Sequence, residues 1–249
     1  MNIATIKEKF SNRAAYIAFA SIFAIFALIL VLSQNWNSSR ETTGVSIRNA
    51  QYIDHSELTS LLTSYIGLKK EEVDLFEVEN RINMHPFVES SIAKFTPNKG
   101  LIVKVTEKQV VAYCSFGNGP LMLMDGKGEY LPYKLYEGFQ YLPLVTGMSL
   151  KTELKYKKES VKIINELLLK ENESVLAEVS ELHFDSEISG FKLFMSNSDT
   201  ELIIGNSRKI SDKLENFKIF TSHSIYSEKY AHTAYIDLRW SNKVIVKKS

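Results

Sequence analysis

Residues 44–107 read GVSIRNAQYIDHSELTSLLTSYIGLKKEEVDLFEVENRINMHPFVESSIAKFTPNKGLIVKVTE, and the period of their apolar positions decides the fold. Val45 and Ile47 repeat at period two within residues 44–53, the alternation of a strand. Asp54 stands three positions before Glu57 as an N-cap pair, and Leu58, Leu61, Leu62 and Tyr65 then recur at helical spacing until Gly67. A second helix is predicted over residues 75–84, capped by Asp74, with Leu75, Val78 and Ile82 on one face. It ends at His85, because Pro86 disfavours helical geometry in the residue before it. Residues 87–95 and 101–107 read as strands joined by the turn formers Pro97, Asn98, Lys99 and Gly100. The predicted order is β-α-α-β-β, so the fold class is α+β.

Toward the N-terminus, residues 14–32 (AAYIAFASIFAIFALILVL) hold no charged side chain. As a helix they span about 28 Å, close to the hydrocarbon thickness of a bilayer. Lys7, Lys9 and Arg13 precede the run, and Gln34, Asn35, Trp36, Asn37 and Ser38 follow it. The expectation is one transmembrane helix, with the N-terminus in the cytoplasm and Trp36 at the far interface. A cleaved signal peptide shares the basic start, but it has a shorter apolar core and small residues before its cut, where this chain has Val31-Leu32-Ser33. The expected parts are a cytoplasmic tail (1–13), a transmembrane helix (14–32), a connector (33–43), a first exported domain (44–107), a β-rich domain with helices (108–240) and a C-terminal edge strand with a basic tail (241–249).

The texture past residue 108 is that of short strands: VVAYCSF (110–116), LMLMD (121–125), EYLPY (129–133), SELHF (180–184), FKLFM (191–195), TELIIG (200–205) and TAYIDLRW (233–240). A long helix is predicted within residues 150–170, burying Leu154, Val161, Ile164 and Leu168, and another is centred on Ile210, Leu214 and Phe217. Val244 and Val246 mark a short strand before the lysine-rich end.

Composition narrows the function. Thirty Lys+Arg against 29 Asp+Glu leave a net charge of +1, without the concentrated basic surface that nucleic acid demands. The single Cys114 excludes an intrachain disulfide framework and a CxxC zinc or redox site. His55, His85, His183, His223 and His232 match no metal-ligand spacing, the serines lack a G-x-S-x-G elbow, and Gly126-Lys127-Gly128 suits a hairpin rather than a phosphate cradle. Asp125, Glu107 and Asp237 are isolated in sequence, which favours structural roles over paired acid and base. Tyr130, Tyr133, Tyr136, Phe139 and Tyr141 read as core and turn packing, with an exposed recognition surface as the other reading. In residues 233–240, Tyr235, Asp237 and Arg239 alternate with Ile236, Leu238 and Trp240, a half-buried strand whose place near the chain end suits a sheet edge open to a partner strand.

Several motifs in order resemble the bacterial FtsQ/DivIB cell-division family. Val45 to Ala50 stands where that family opens its POTRA domain, His85-Pro86-Phe87-Val88 is similar to its Pro-aromatic-Val element, and Thr96 to Leu101 to its Pro-Asn-x-Leu turn. Val105 to Ala112 resembles its Glu-Arg-x-Pro-Val-Ala stretch, with Lys108 in place of Arg and Val110 in place of Pro. Met124 to Gly128, Leu142 to Gly147, Leu202 to Gly205 and Tyr235 to Trp240 resemble its Asp-x-x-Gly hairpin, Leu-Pro-x-x-x-Gly segment, strand-Gly element and Asp-Leu-Arg-aromatic signature. The resemblance implies a POTRA domain followed by a β-domain, and a non-enzymatic divisome scaffold of the cytoplasmic (inner) membrane, concentrated at the septum, that links early and late division proteins and helps control septal peptidoglycan synthesis. It implies no cofactor or small-molecule substrate. Its implied partners are FtsB, by strand addition, and the FtsL bound to FtsB, with other division proteins at the POTRA domain. The carried-over contact region is Arg239, Trp240, Ser241, Asn242, Lys243, Val244, Ile245 and Val246. Two rival functions are a POTRA-bearing chaperone or translocation module and a membrane-anchored hydrolase whose site forms only in three dimensions.

Overall fold

The computed structural model describes residues 18–32, 41–97, 100–117, 119–196, 198–222, 233–240 and 243–248. Residues 18–32 form helix α1, with every side chain exposed. No helix among the described residues is long and apolar enough to cross a membrane. The rest of the expected span (14–17), the tail 1–13, connector residues 33–40 with Trp36, and turn residues Asn98 and Lys99 lie outside the described residues. The chain divides into two compact units, Met1–Thr106 and Glu107–Ser249.

The first unit runs β1 (Gly44–Arg48), α2 (His55–Ser60), α3 (Leu75–Asn83), β2 (Val88–Phe95) and β3 (Gly100–Glu107), which is the expected β-α-α-β-β order. The sheet order is β1-β3-β2, with β1 parallel to β3. Both expected caps form: Asp54 accepts from Ser56 N–H at 2.7 Å and Asp74 from Phe76 N–H at 2.8 Å. Glu57 lies 3.0 Å from His85 Nε2, which joins α2 to the segment entering β2. Helix α2 is shorter than its periodicity suggests and passes into a 3-10 turn at Thr63–Tyr65 that still buries Leu62 and Tyr65. Small residues on β2 admit α3 closely, so that Ser91 Oγ donates to Asn83 Oδ1 at 2.9 Å and Ala93 N–H to Glu79 Oε1 at 2.7 Å.

The second unit is a nine-stranded sheet in the order β12-β11-β10-β9-β8-β7-β4-β5-β6. Its strands are β4 (Val110–Cys114), β5 (Met122–Asp125), β6 (Tyr130–Pro132), β7 (Leu144–Thr146), β8 (Val179–Asp185), β9 (Gly190–Met195), β10 (Ser198–Gly205), β11 (Thr233–Asp237) and β12 (Ile245–Lys248). Helices α4 (Leu154–Leu167) and α5 (Glu173–Glu178) connect the parallel pair β7/β8, and α6 (Ile210–Ser222) connects the parallel pair β10/β11. One row of side chains, Val246, Ile236, Leu202, Leu193, Leu182, Val145 and Cys114, crosses the sheet in register. These residues pack with Ile163, Ile164 and Leu167 of α4 and Leu214 and Phe217 of α6 into one core.

Three local expectations are corrected. The buried face of α4 is Ser160, Val161, Ile163, Ile164 and Leu167, all in the second half of the helix, while Leu154 and Leu168 are exposed. Residues 144–146 form a strand and residues 173–178 a helix that local periodicity did not separate from loop. Strand β11 ends at Asp237, and it is not the edge strand, because β12 covers its outer side. Among the aromatic run, Tyr136 and Phe139 are buried, whereas Tyr133 and Tyr141 are exposed.

A candidate partner-binding edge at the C-terminus

Strand β12 lies antiparallel to β11, with Ile245 opposite Asp237, Val246 opposite Ile236 and Lys247 opposite Tyr235. Val244 and Val246 pack against the core, and Ile245 is exposed on the other side. The inward and outward backbone groups follow from one bond. Leu238 N–H donates to Ile203 O at 2.9 Å, so Leu238 faces β10. Its neighbour Asp237 therefore faces β12 and bonds inward with Ile245. By the same alternation Lys247 also faces inward, and the N–H and C=O of Val244 and Val246 face outward, where no further strand of the described residues pairs with them.

The turn into β12 is organised by a buried carboxylate. Asp237 is 4% exposed and accepts Arg239 Nε at 2.9 Å, Arg239 Nη2 at 2.7 Å, Arg239 N–H at 3.0 Å and Trp240 Nε1 at 3.3 Å. Burial works to raise its pKa, but the Arg239 hydrogen bonds and charge outweigh that and hold the carboxyl below its usual range. This clamp lifts Trp240 out of the strand and leaves it 55% exposed, which corrects the expectation that it continues the buried side of β11. The Arg239 stem lies over Gly205 (φ +69°), where an added Cβ would stand 2.9 Å from Cγ.

Arg239 and Trp240 border a cavity of about 300 Å³, together with Arg208, Lys209, Asp212 and Lys213. Lys213 is 8% exposed, and its Nζ donates to Ile204 O at 2.8 Å and Asn206 O at 2.7 Å. Burial pushes its pKa down. The cavity thus joins cationic side chains and Asp212 to an exposed indole. Of the expected contact residues, Arg239, Trp240, Lys243, Val244, Ile245 and Val246 fall along this border, and Ser241 and Asn242 lie outside the described residues. The roles of Asp237, Gly205 and Lys213 were not read from the sequence. The available signal was a lysine on the otherwise apolar face Ile210, Leu214, Phe217.

Cys114 is fully buried and its thiol is pushed up to about 12 by burial, so it behaves as a core residue. Asp125 ties a hairpin, accepting Lys127 N–H at 2.9 Å and Glu129 N–H at 2.8 Å. Lys108, the residue in place of Arg, lies 3.0 Å from Glu129 and 3.8 Å from Asp125.

The fold defines an α+β protein of two units, the second a nine-stranded sheet with β12 outermost. The family model described as "FtsQ/DivIB, C-terminal related" matches residues 116–247, more than half of the chain, and the chain belongs to this family. It is 23% identical to the "Cell division protein FtsQ" of Koribacter versatilis, over 96% of this chain and 71% of that one. It is 29% identical to the protein of the same name from Geotalea daltonii, over 84% of this chain and 79% of that one.

Proposed function

We propose that the chain is a non-enzymatic scaffold of the cell-division machinery, anchored in the cytoplasmic membrane by a single helix over residues 14–32, with its N-terminus inside and its two units outside. The first unit, residues 44–107, acts as a POTRA domain for recruitment, and the β-domain, residues 108–240, presents β12 to FtsB, itself bound to FtsL. The protein thereby links early and late division proteins at the septum and helps control septal peptidoglycan synthesis. Membership of a family whose relatives are cell-division proteins supports this reading. The observation that carries it is the outer position of β12, with the Val244 and Val246 backbone directed away from β11.

Strand addition draws its affinity from backbone hydrogen bonds, so sequence drift at the border leaves the mode intact. Trp240 and Arg239 are residue types that often dominate interface energies, and the Asp237 clamp holds both in place before a partner arrives. Confinement to one bilayer raises the effective concentration of anchored partners, so modest contacts suffice. The test is recovery of the FtsB/FtsL pair on Trp240→Ala protein, together with imaging of a fluorescent fusion. Reduced recovery and a mid-cell band for the wild type support the reading; undiminished recovery with uniform peripheral signal refutes it.

A further inference from the structure

The three-stranded sheet of the first unit has two unlike faces. Leu101, Val103 and Val105 of β3 are buried, and the alternate residues Ile102, Lys104 and Thr106 open onto the other face. The parallel register sets Ser46 beside Ile102 and Arg48 beside Lys104. Across the hairpin, the bond from Thr96 N–H to Gly100 O at 2.7 Å places Lys94 opposite Ile102 and Ile92 opposite Lys104. Strands are about 4.8 Å apart, so Arg48, Lys94 and Lys104 share a patch about 10 Å wide. All three are exposed, and their side chains make no ion pair among the described residues. Ile92, on the outer strand β2 opposite Lys104 and two residues from Lys94, is 55% exposed. The carboxylates of these strands, Glu89 and Glu107, stand at the start of β2 and the end of β3, beyond Ile92 and Lys104, and Glu57, Glu77 and Glu79 belong to the helices.

We propose that this face, with Arg48, Lys94, Lys104 and the exposed Ile92, rests on anionic phospholipid headgroups. The proposal rests on the anchored reading above, because the apolar run ending at Leu32 is what brings a membrane near. Eleven residues separate Leu32 from Gly44, and the steps from one to the other reach at most about 42 Å when fully extended. The sheet is therefore held close to the surface, and a face with three unneutralised cations and an exposed apolar side chain beside two of them matches an anionic bilayer in charge. Each such cation strengthens attachment about 5-fold, and three together about 100-fold, in a salt-dependent manner.

The test uses the full chain reconstituted into vesicles of phosphatidylcholine alone or with added phosphatidylglycerol. An environment-sensitive maleimide dye is placed at Ile92→Cys, with Met84→Cys as an exposed control; the buried native Cys114 stays unlabelled in the folded protein. The Ile92→Cys dye is expected to shift to the blue, and to be quenched by headgroup spin labels, only in phosphatidylglycerol vesicles. The shift is expected to vanish in high salt and in the Arg48→Gln/Lys94→Gln/Lys104→Gln variant, while the Met84→Cys dye stays unchanged throughout. Equal emission in both vesicle types, in protein that floats after a carbonate wash, overturns the headgroup contact and leaves the anchor standing. Loss of flotation overturns the anchor and this inference with it. Protection of the dye by polyglutamate irrespective of lipid makes the face a protein-docking surface and overturns the lipid assignment.

Discussion

Replacing Val246 by proline separates partner binding from folding. The Val246 N–H faces away from β11, because Leu238 bonds to β10 and the alternation then turns Asp237, Ile245 and Lys247 toward each other across the β11/β12 ladder. Proline at 246 removes a donor that the chain's own fold leaves unused, and its ring stands where an added strand would approach. Proline is tolerated on an edge strand, and the packing of Val246 on the core is largely kept by a side chain of similar size, so the stability cost is about 1 kcal/mol. For a unit of this size that lowers Tm by about 2–4 °C. Binding loses about 1 kcal/mol for the missing bond and a similar amount for the displaced neighbouring pairs. At 1.4 kcal/mol per tenfold, a total of about 2 kcal/mol is a weakening of about 30-fold. Titration of the reconstituted chain with the FtsB/FtsL pair measures this directly, and thermal unfolding monitors the fold. Lys247→Pro is the internal contrast, since it deletes a bond within the β11/β12 ladder and so lowers stability and binding together. Affinity of Val246→Pro within twofold of wild type would refute strand addition at β12.

Two other predictions concern buried groups. Asp237→Asn weakens the clamp on Arg239 and Trp240 and destabilises the second unit by about 2 kcal/mol. The native Asp237 has a depressed folded pKa, so its stabilisation is present above the unfolded value of about 3.9 and is lost as pH falls through the lower folded value. Unfolding midpoints measured from pH 6 down to about pH 2 should therefore fall less steeply in the variant, and parallel slopes would show that the clamp does not carry this dependence. Native Cys114 is expected to resist iodoacetamide at pH 8 and to react once the chain is unfolded, since its thiol is fully buried and pushed up to about 12; rapid native alkylation, read by mass spectrometry, would contradict that burial.

Element identity was legible wherever it depended on neighbours along the chain. Period-two runs became β2, β3, β9 and β10, and Asp54 and Asp74 capped helices because a cap is satisfied within two residues. The triplet Ile210, Leu214 and Phe217 was buried as its spacing required. The failures cluster where pairing is distant. The three residues of β7 are too few to show a period, and they are a strand because β4 and β8 flank them in parallel. Periodicity assigns Leu154 and Leu168 to the core, although both are exposed at the ends of α4.

At the candidate site the same division holds. Residues 233–246 by themselves determined that an apolar-polar alternation ends the chain and that Arg239 and Trp240 stand beside it. Only the tertiary structure decided that β11 is interior and β12 outermost, that Asp237 closes on Arg239 from a buried position, and that Gly205 makes room for the arginine stem. The physical reason is that alternation and capping are set by bonds a few residues long, whereas which backbone edge stays open depends on which strands find each other across the whole sheet.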